Sequence, residues 1–124
     1  MDPTDSVAIL NLAAALERVG GDQELLEEVA QIFLDTAPAL LARVAGAVQA
    51  RDPRALEYAA HTLKGSVGNF GADAAFKAAL QLEKMGRSGE LTRVNEAYRA
   101  LEVEIERLRP ALAGLGQGLG PVRK

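Results

Sequence analysis

The residues able to do chemistry lie close together, in His61-Thr62-Leu63-Lys64-Gly65-Ser66-Val67-Gly68-Asn69-Phe70-Gly71-Ala72. This stretch holds the only histidine of the chain and a cluster of glycines inside what otherwise reads as helix. A neutral imidazole is a nucleophile, and a lysine one helical turn away can offset the negative charge that a phosphoryl group would bring. A metal centre is disfavoured, because the chain has no cysteine and no second histidine to complete one.

On a helical wheel at about 100° per residue, Leu56, Leu63, Val67 and Phe70 gather on the side opposite His61, which therefore faces away from the core. Lys64 and Gly65 share its face at the i+3 and i+4 spacings, and Gly68 follows two turns on. Glu57 and Tyr58 stand one turn before it. Glycine in a helix interior costs roughly 1 kcal/mol relative to alanine, so two on one exposed face imply a use for the space. Close approach by a partner is that use, and Glu57, Tyr58, Lys64, Gly65 and Gly68 are the candidate partner-contacting residues. Taken alone, His61 has two readings, a solvated surface histidine beside a lysine or a nucleophile presented to a partner.

His61-Thr62-Leu63-Lys64-Gly65-Ser66 followed by Gly71-Ala72 resembles the signature of histidine-containing phosphotransfer (HPt) domains, the His-to-Asp relay modules of two-component signalling. The resemblance spans about residues 5 to 110 and includes Asp52-Pro53 before the histidine helix and Leu82-Glu83 late in the next one. It implies that His61 carries the phosphoryl group, that Lys64 stabilises it and that Gly65 leaves room for the partner. Val67 departs from the family, which often has a smaller residue there, but it points to the core side. The implied partners are response-regulator receiver domains or a hybrid histidine kinase. The Mg2+ belongs to the receiver, and no cofactor is expected in this chain.

Composition bounds the rest. A chain of 124 residues, 48% of them hydrophobic, is long enough to bury one core. Aromatic residues are 4% and alanine is abundant, which suits closely packed helices better than a sheet or an aromatic platform for nucleic acid. A net charge of −3 without a strongly basic stretch argues against nucleic acid as partner. No apolar run approaches the ~20 residues that span a bilayer, and the acidic start Met1-Asp2-Pro3-Thr4-Asp5 is unlike a secretory signal. A cytoplasmic monomer that does not touch a membrane is the expectation.

In chain order, Ser6 is placed to cap a short first helix with Val7, Ile9, Leu10, Leu12 and Leu16, ended before Gly20-Gly21. Asp22 caps a long second helix whose apolar residues are Leu25, Leu26, Val29, Ile32, Phe33, Leu40, Leu41, Val44 and Val48, with a kink or break expected near Pro38. Asp52-Pro53 starts the histidine helix, which runs to about Phe70 and stops at Gly71. The next helix, about 72 to 85, ends at Gly86. The last, about 90 to 109, carries Leu91, Val94, Tyr98, Leu101, Ile105 and Leu108, and Pro110 discourages its continuation. The predicted fold is all-α: an antiparallel up-down four-helix bundle with a short extra N-terminal helix over residues 1–110, and a glycine-rich flexible tail over 111–124.

One polar residue falls out of place. Glu83 lies within about 20° of Phe76 on the wheel, inside the apolar stripe. Either it snorkels to water from the stripe's edge, or it reaches the facing helix and accepts the Nδ1 hydrogen of His61, leaving Nε2 reactive. The resembled family places a hydrogen-bonding glutamine or glutamate at the corresponding position. The chain has no glycine-rich nucleotide loop and no acidic cluster to hold magnesium with a phosphate, so any phosphoryl donor is another protein. The expected function is therefore a relay intermediate without turnover of its own. The rival is a helical-bundle adaptor that docks a receiver or kinase without chemistry, and uptake of label separates the two.

Overall fold

The computed structural model describes residues 10–122, with side chains described to Leu115. Among the described residues there are five helices and no strand: α1 (Leu12–Arg18), α2 (Gln23–Ala50), α3 (Pro53–Gly68), α4 (Asp73–Ser88) and α5 (Val94–Val122). Each of α2 to α5 packs on its successor, and α5 closes the ring against α2, so the four form a bundle. Ser6, Val7 and Ile9, assigned from sequence to the first helix, lie outside the described residues.

Local signals set most boundaries. Asp22 accepts from Leu25 N–H at 3.0 Å at the head of α2, and Asp52 does the same for Ala55 at 3.2 Å, with Pro53 in the first position of α3. Asn11 caps α1 by accepting from Ala14 N–H at 3.0 Å. Its own N–H donates to Phe70 O at 2.9 Å, which fastens α1 to the α3–α4 turn. Gly71, at φ 61°, lets the chain reverse there, and an added Cβ would lie 2.6 Å from Asn11 Cβ.

The core is built from α3's Leu56, Leu63 and Val67, α5's Val94, Leu101, Ile105 and Leu108, α4's Leu82 and Ala79, and an alanine-rich stripe of α2. That stripe is Leu26, Ala30, Phe33, Ala37, Val44, Ala47 and Val48, whereas Leu25 and Ile32 are 41% and 61% exposed. Alanines let neighbouring helices come close, and the larger residues of α2 are spread around more of its surface than the core can take. By length and composition α2 could also cross a membrane, its richest window reaching a mean hydropathy of 1.2. In this fold α2 packs on α3 and α5, and only its buried stripe, not all of its apolar residues, forms an inner face of the bundle.

Three sequence expectations differ from the structure. Of the kink or break expected at Pro38, the break is absent: α2 is one helix through it, so one lost backbone hydrogen bond is outweighed by packing on both sides. α5 does not stop near residue 109: it runs through Pro110 to Val122. Leu112 and Leu115, 1% and 8% exposed, continue the stripe of Leu101, Ile105 and Leu108 at alternating spacings of four and three. Finally, Gly86 does not end a helix, because α4 continues to Ser88 and is closed by Gly89 at φ 78°. Gly86 is buried, and a Cβ there would lie 2.5 Å from Glu57 N and 2.6 Å from Pro53 O. It is the point at which α4 touches the backbone of α3.

Candidate functional site

His61, Lys64 and Gly65 share one face of α3, and α4 runs alongside. The imidazole side chain is 64% exposed. Glu83 of α4 is the one buried charged residue among those described, 3% exposed, so it does not snorkel to water. Its Oε2 stands 2.9 Å from His61 Nδ1, and its Oε1 2.7 Å from Lys64 Nζ. Among the described residues Oε1 has no partner besides this ammonium, which alone compensates it.

Burial by itself would raise the Glu83 carboxyl's affinity for a proton. The hydrogen bond and charge of Lys64, with the hydrogen bond from His61, outweigh that effect and hold its pKa below the ordinary value. The group is therefore an anion near neutral pH. An ionised carboxylate can only accept, so the hydrogen of the contact sits on Nδ1, and a neutral ring keeps its lone pair on Nε2. The pair thus selects one tautomer of an exposed imidazole.

Lys64 departs from the free surface cation expected from the wheel. Its side chain is only 20% exposed, drawn down onto Glu83, and its Nζ lies 5.7 Å from the centroid of the Phe76 ring. The wheel places the Cα correctly but cannot show that a long flexible side chain will turn inward to a buried anion on the next helix.

The two glycines of the predicted strip differ. A Cβ on Gly65 would meet nothing within 4 Å, so this surface is bare backbone facing open space. At Gly68 it would touch Phe76 at 3.5 and 3.6 Å, so Gly68 borders α4 as well as solvent. Tyr58 is 69% exposed. With Arg54, Glu57, His61, Glu83 and Arg87 it lines an open depression beside the imidazole.

Arg87 was not among the residues singled out from sequence. It is the residue after Gly86, and its guanidinium spans two carboxylates, Nε to Glu57 Oε2 at 3.1 Å and Nη2 to Glu83 Oε2 at 3.0 Å. The one available signal was its i+4 spacing from Glu83; the contact to α3 depends on the helix approach that Gly86 permits. Among the described residues no group of three histidine, cysteine or acidic side chains could hold a metal ion.

The family model described as "Hpt domain" matches residues 28–111, more than half of the chain. Among solved structures, the chain is similar to histidine-containing phosphotransfer protein B (HptB) from Pseudomonas aeruginosa PAO1. The TM-score is 0.80 at 25% sequence identity, over 87% of this chain and 94% of that one. No curated protein sequence matches.

Proposed function

Because the chain belongs to the histidine-containing phosphotransfer (Hpt) domain family, whose members act with receiver domains and histidine kinases in phosphorelays, we propose that it is a relay intermediate working through His61. It takes a phosphoryl group from the phospho-aspartate of one receiver domain and passes it to the aspartate of another. The observation that carries this reading is the 2.9 Å contact between Nδ1 and the buried carboxylate of Glu83, on a ring that is otherwise exposed.

In the forward step the Nε2 lone pair attacks the phosphorus of the acyl phosphate in line. The N–P bond forms as the P–O bond to the aspartate breaks, and the carboxylate leaves with that electron pair. The Nδ1 hydrogen stays on the ring, and Glu83 stabilises the positive charge that develops there. Lys64, one turn from His61, supplies positive charge near the phosphoryl oxygens. The open backbone at Gly65 admits the receiver, whose Mg2+ balances charge on its own side. Tyr58, Glu57 and Gly68 border the docking surface. Transfer onward is the same step reversed.

Incubation with a phosphorylated receiver tests this directly. Label that is acid-labile and base-stable identifies phosphohistidine. A receiver that binds but leaves no label on the chain would make it a docking module.

A further inference from the structure

The α3–α4 face carries a chain of side-chain contacts, Glu57 to Arg87 to Glu83 to His61, through an arginine that the transfer step above does not use. On α3, Glu57 and His61 are four residues apart; on α4, Glu83 and Arg87 are four apart, so each pair shares a helix face. Across the two helices Arg87 contacts Glu57 at 3.1 Å, and Glu83 contacts His61 at 2.9 Å. Arg87 joins these two contacts by donating to Glu83 Oε2 at 3.0 Å, the same oxygen that faces Nδ1. Gly86 makes this possible, since a Cβ at that position would lie 2.5 Å from the Glu57 nitrogen.

We infer that Arg87, held between Glu57 and Glu83, is a positioning residue that fixes the tautomer of His61 through the Glu83 carboxylate. A carboxylate on a glutamate side chain turns about a broad torsion, so burial alone does not fix the angle at which an oxygen faces the ring. Lys64 pulls Oε1 from one side. Without a second donor at Oε2 beside the Nδ1 hydrogen, the carboxylate can rotate toward the ammonium and release Nδ1. Arg87 holds the other oxygen, and a guanidinium fork can serve two carboxylates at once, which an ammonium on a flexible stem does poorly. Glu57 in turn stops the guanidinium from swinging out to water.

A plainer account exists for an arginine in the last turn of a helix, where a positive charge suits the helix's negative end. That account needs no contact with either carboxylate, and it leaves the imidazole indifferent to Arg87. As an ion pair Arg87 adds little stability, because its side chain is 60% exposed and Glu57's is 37% exposed. Its proposed effect is on orientation, which needs only that one carboxylate geometry be favoured over another.

The inference rests on the relay reading for its purpose and is tested without it. Nitrogen NMR of the His61 ring in the unphosphorylated full chain, at a pH where the ring is neutral, reports the tautomer populations. The Nδ1–H form dominates in the natural protein. Arg87→Gln should give a mixture with a substantial Nε2–H share, and Glu57→Gln a smaller change in the same direction. Arg87→Lys should fall between the natural protein and Arg87→Gln. Transfer from a phosphorylated receiver should slow on the order of ten-fold in Arg87→Gln, the low end of what loss of a supporting contact costs a reactive group. Unchanged tautomer populations in both Arg87→Gln and Glu57→Gln would overturn the inference, as would altered populations with undiminished transfer. If Arg87→Gln folds poorly, the surface change Glu57→Gln decides by itself. Failure of the relay reading would appear separately, as absence of label on the natural protein, and the ring nitrogens would still decide the role of Arg87.

Discussion

Replacing glycine by alanine at two positions should move stability in opposite directions, although both lie inside helices of the same bundle. At Gly65 the new methyl meets nothing within 4 Å. The change there is one of helix propensity, a gain of about 1 kcal/mol. At Gly86 the same gain is opposed by contacts at 2.5, 2.6 and 2.9 Å with Glu57 N, Pro53 O and Glu57 Cα. All three are backbone atoms, so no side chain can swing aside, and α3 and α4 must separate. Overpacking of this kind costs about 1–3 kcal/mol beyond the propensity gain when the neighbours cannot yield. Urea unfolding followed by far-ultraviolet circular dichroism reads both changes, as a higher midpoint for Gly65→Ala and a lower one for Gly86→Ala at unchanged slope. For a chain of this size each kcal/mol also shifts the melting temperature by roughly 3–5 °C. Because separation of the helices loosens the Arg87–Glu57 and Glu83–His61 contacts, Gly86→Ala should disturb the imidazole tautomer as well. A Gly86→Ala protein as stable as the natural one would refute the close approach.

The remaining predictions concern the carboxylate and its surroundings. Lys64→Ala should slow transfer or shorten the life of phosphohistidine, and it should also cost about 1–3 kcal/mol of stability, because Glu83 Oε1 is left buried without a partner; denaturation and label-decay measurements check the two halves. Glu83 has a folded-state pKa held below its ordinary 4.5, so the unfolded chain takes up this proton at higher pH than the folded one. Its contribution to stability is therefore intact above about that value and is lost as pH falls through the lower folded value; acid titrations should show the loss in the natural protein and a flatter profile in Glu83→Gln. Gly65→Gln should weaken receiver affinity by calorimetry while leaving helicity unchanged or slightly higher, since the new side chain would occupy open docking surface and glycine is the poorer helix former.

The parts of this molecule legible in its sequence are those determined within one helix. The wheel assigns Leu56, Leu63, Val67 and Phe70 to the core, and all four are buried. It also marks Glu83 as an anomaly, because an acid in an apolar stripe is visible without knowing what it faces. What escaped depends on the distance between helices. Gly86 reads as a helix end because glycine so often is one, and only the neighbouring backbone shows that it serves contact. Arg87 reads as an ordinary charge for the same reason, since its partner Glu57 lies thirty residues away. Pro38 and Pro110 read as interruptions from local backbone chemistry, but apolar residues beyond each of them, Val44 and Val48 in α2 and Leu112 and Leu115 in α5, favour continuing the helix. The wheel puts Lys64 on the right face but not at its true exposure, because the anion that draws it inward belongs to α4.

The central claim is that His61 is the atom-level acceptor, and it is tested most directly by comparing the natural protein with His61→Gln in one assay. Both are incubated with the same phosphorylated receiver, and circular dichroism verifies that both are folded. Acid-labile, base-stable label on the natural protein and none on His61→Gln is the predicted result. Label on folded His61→Gln at the natural level would place the acceptor elsewhere and contradict the account.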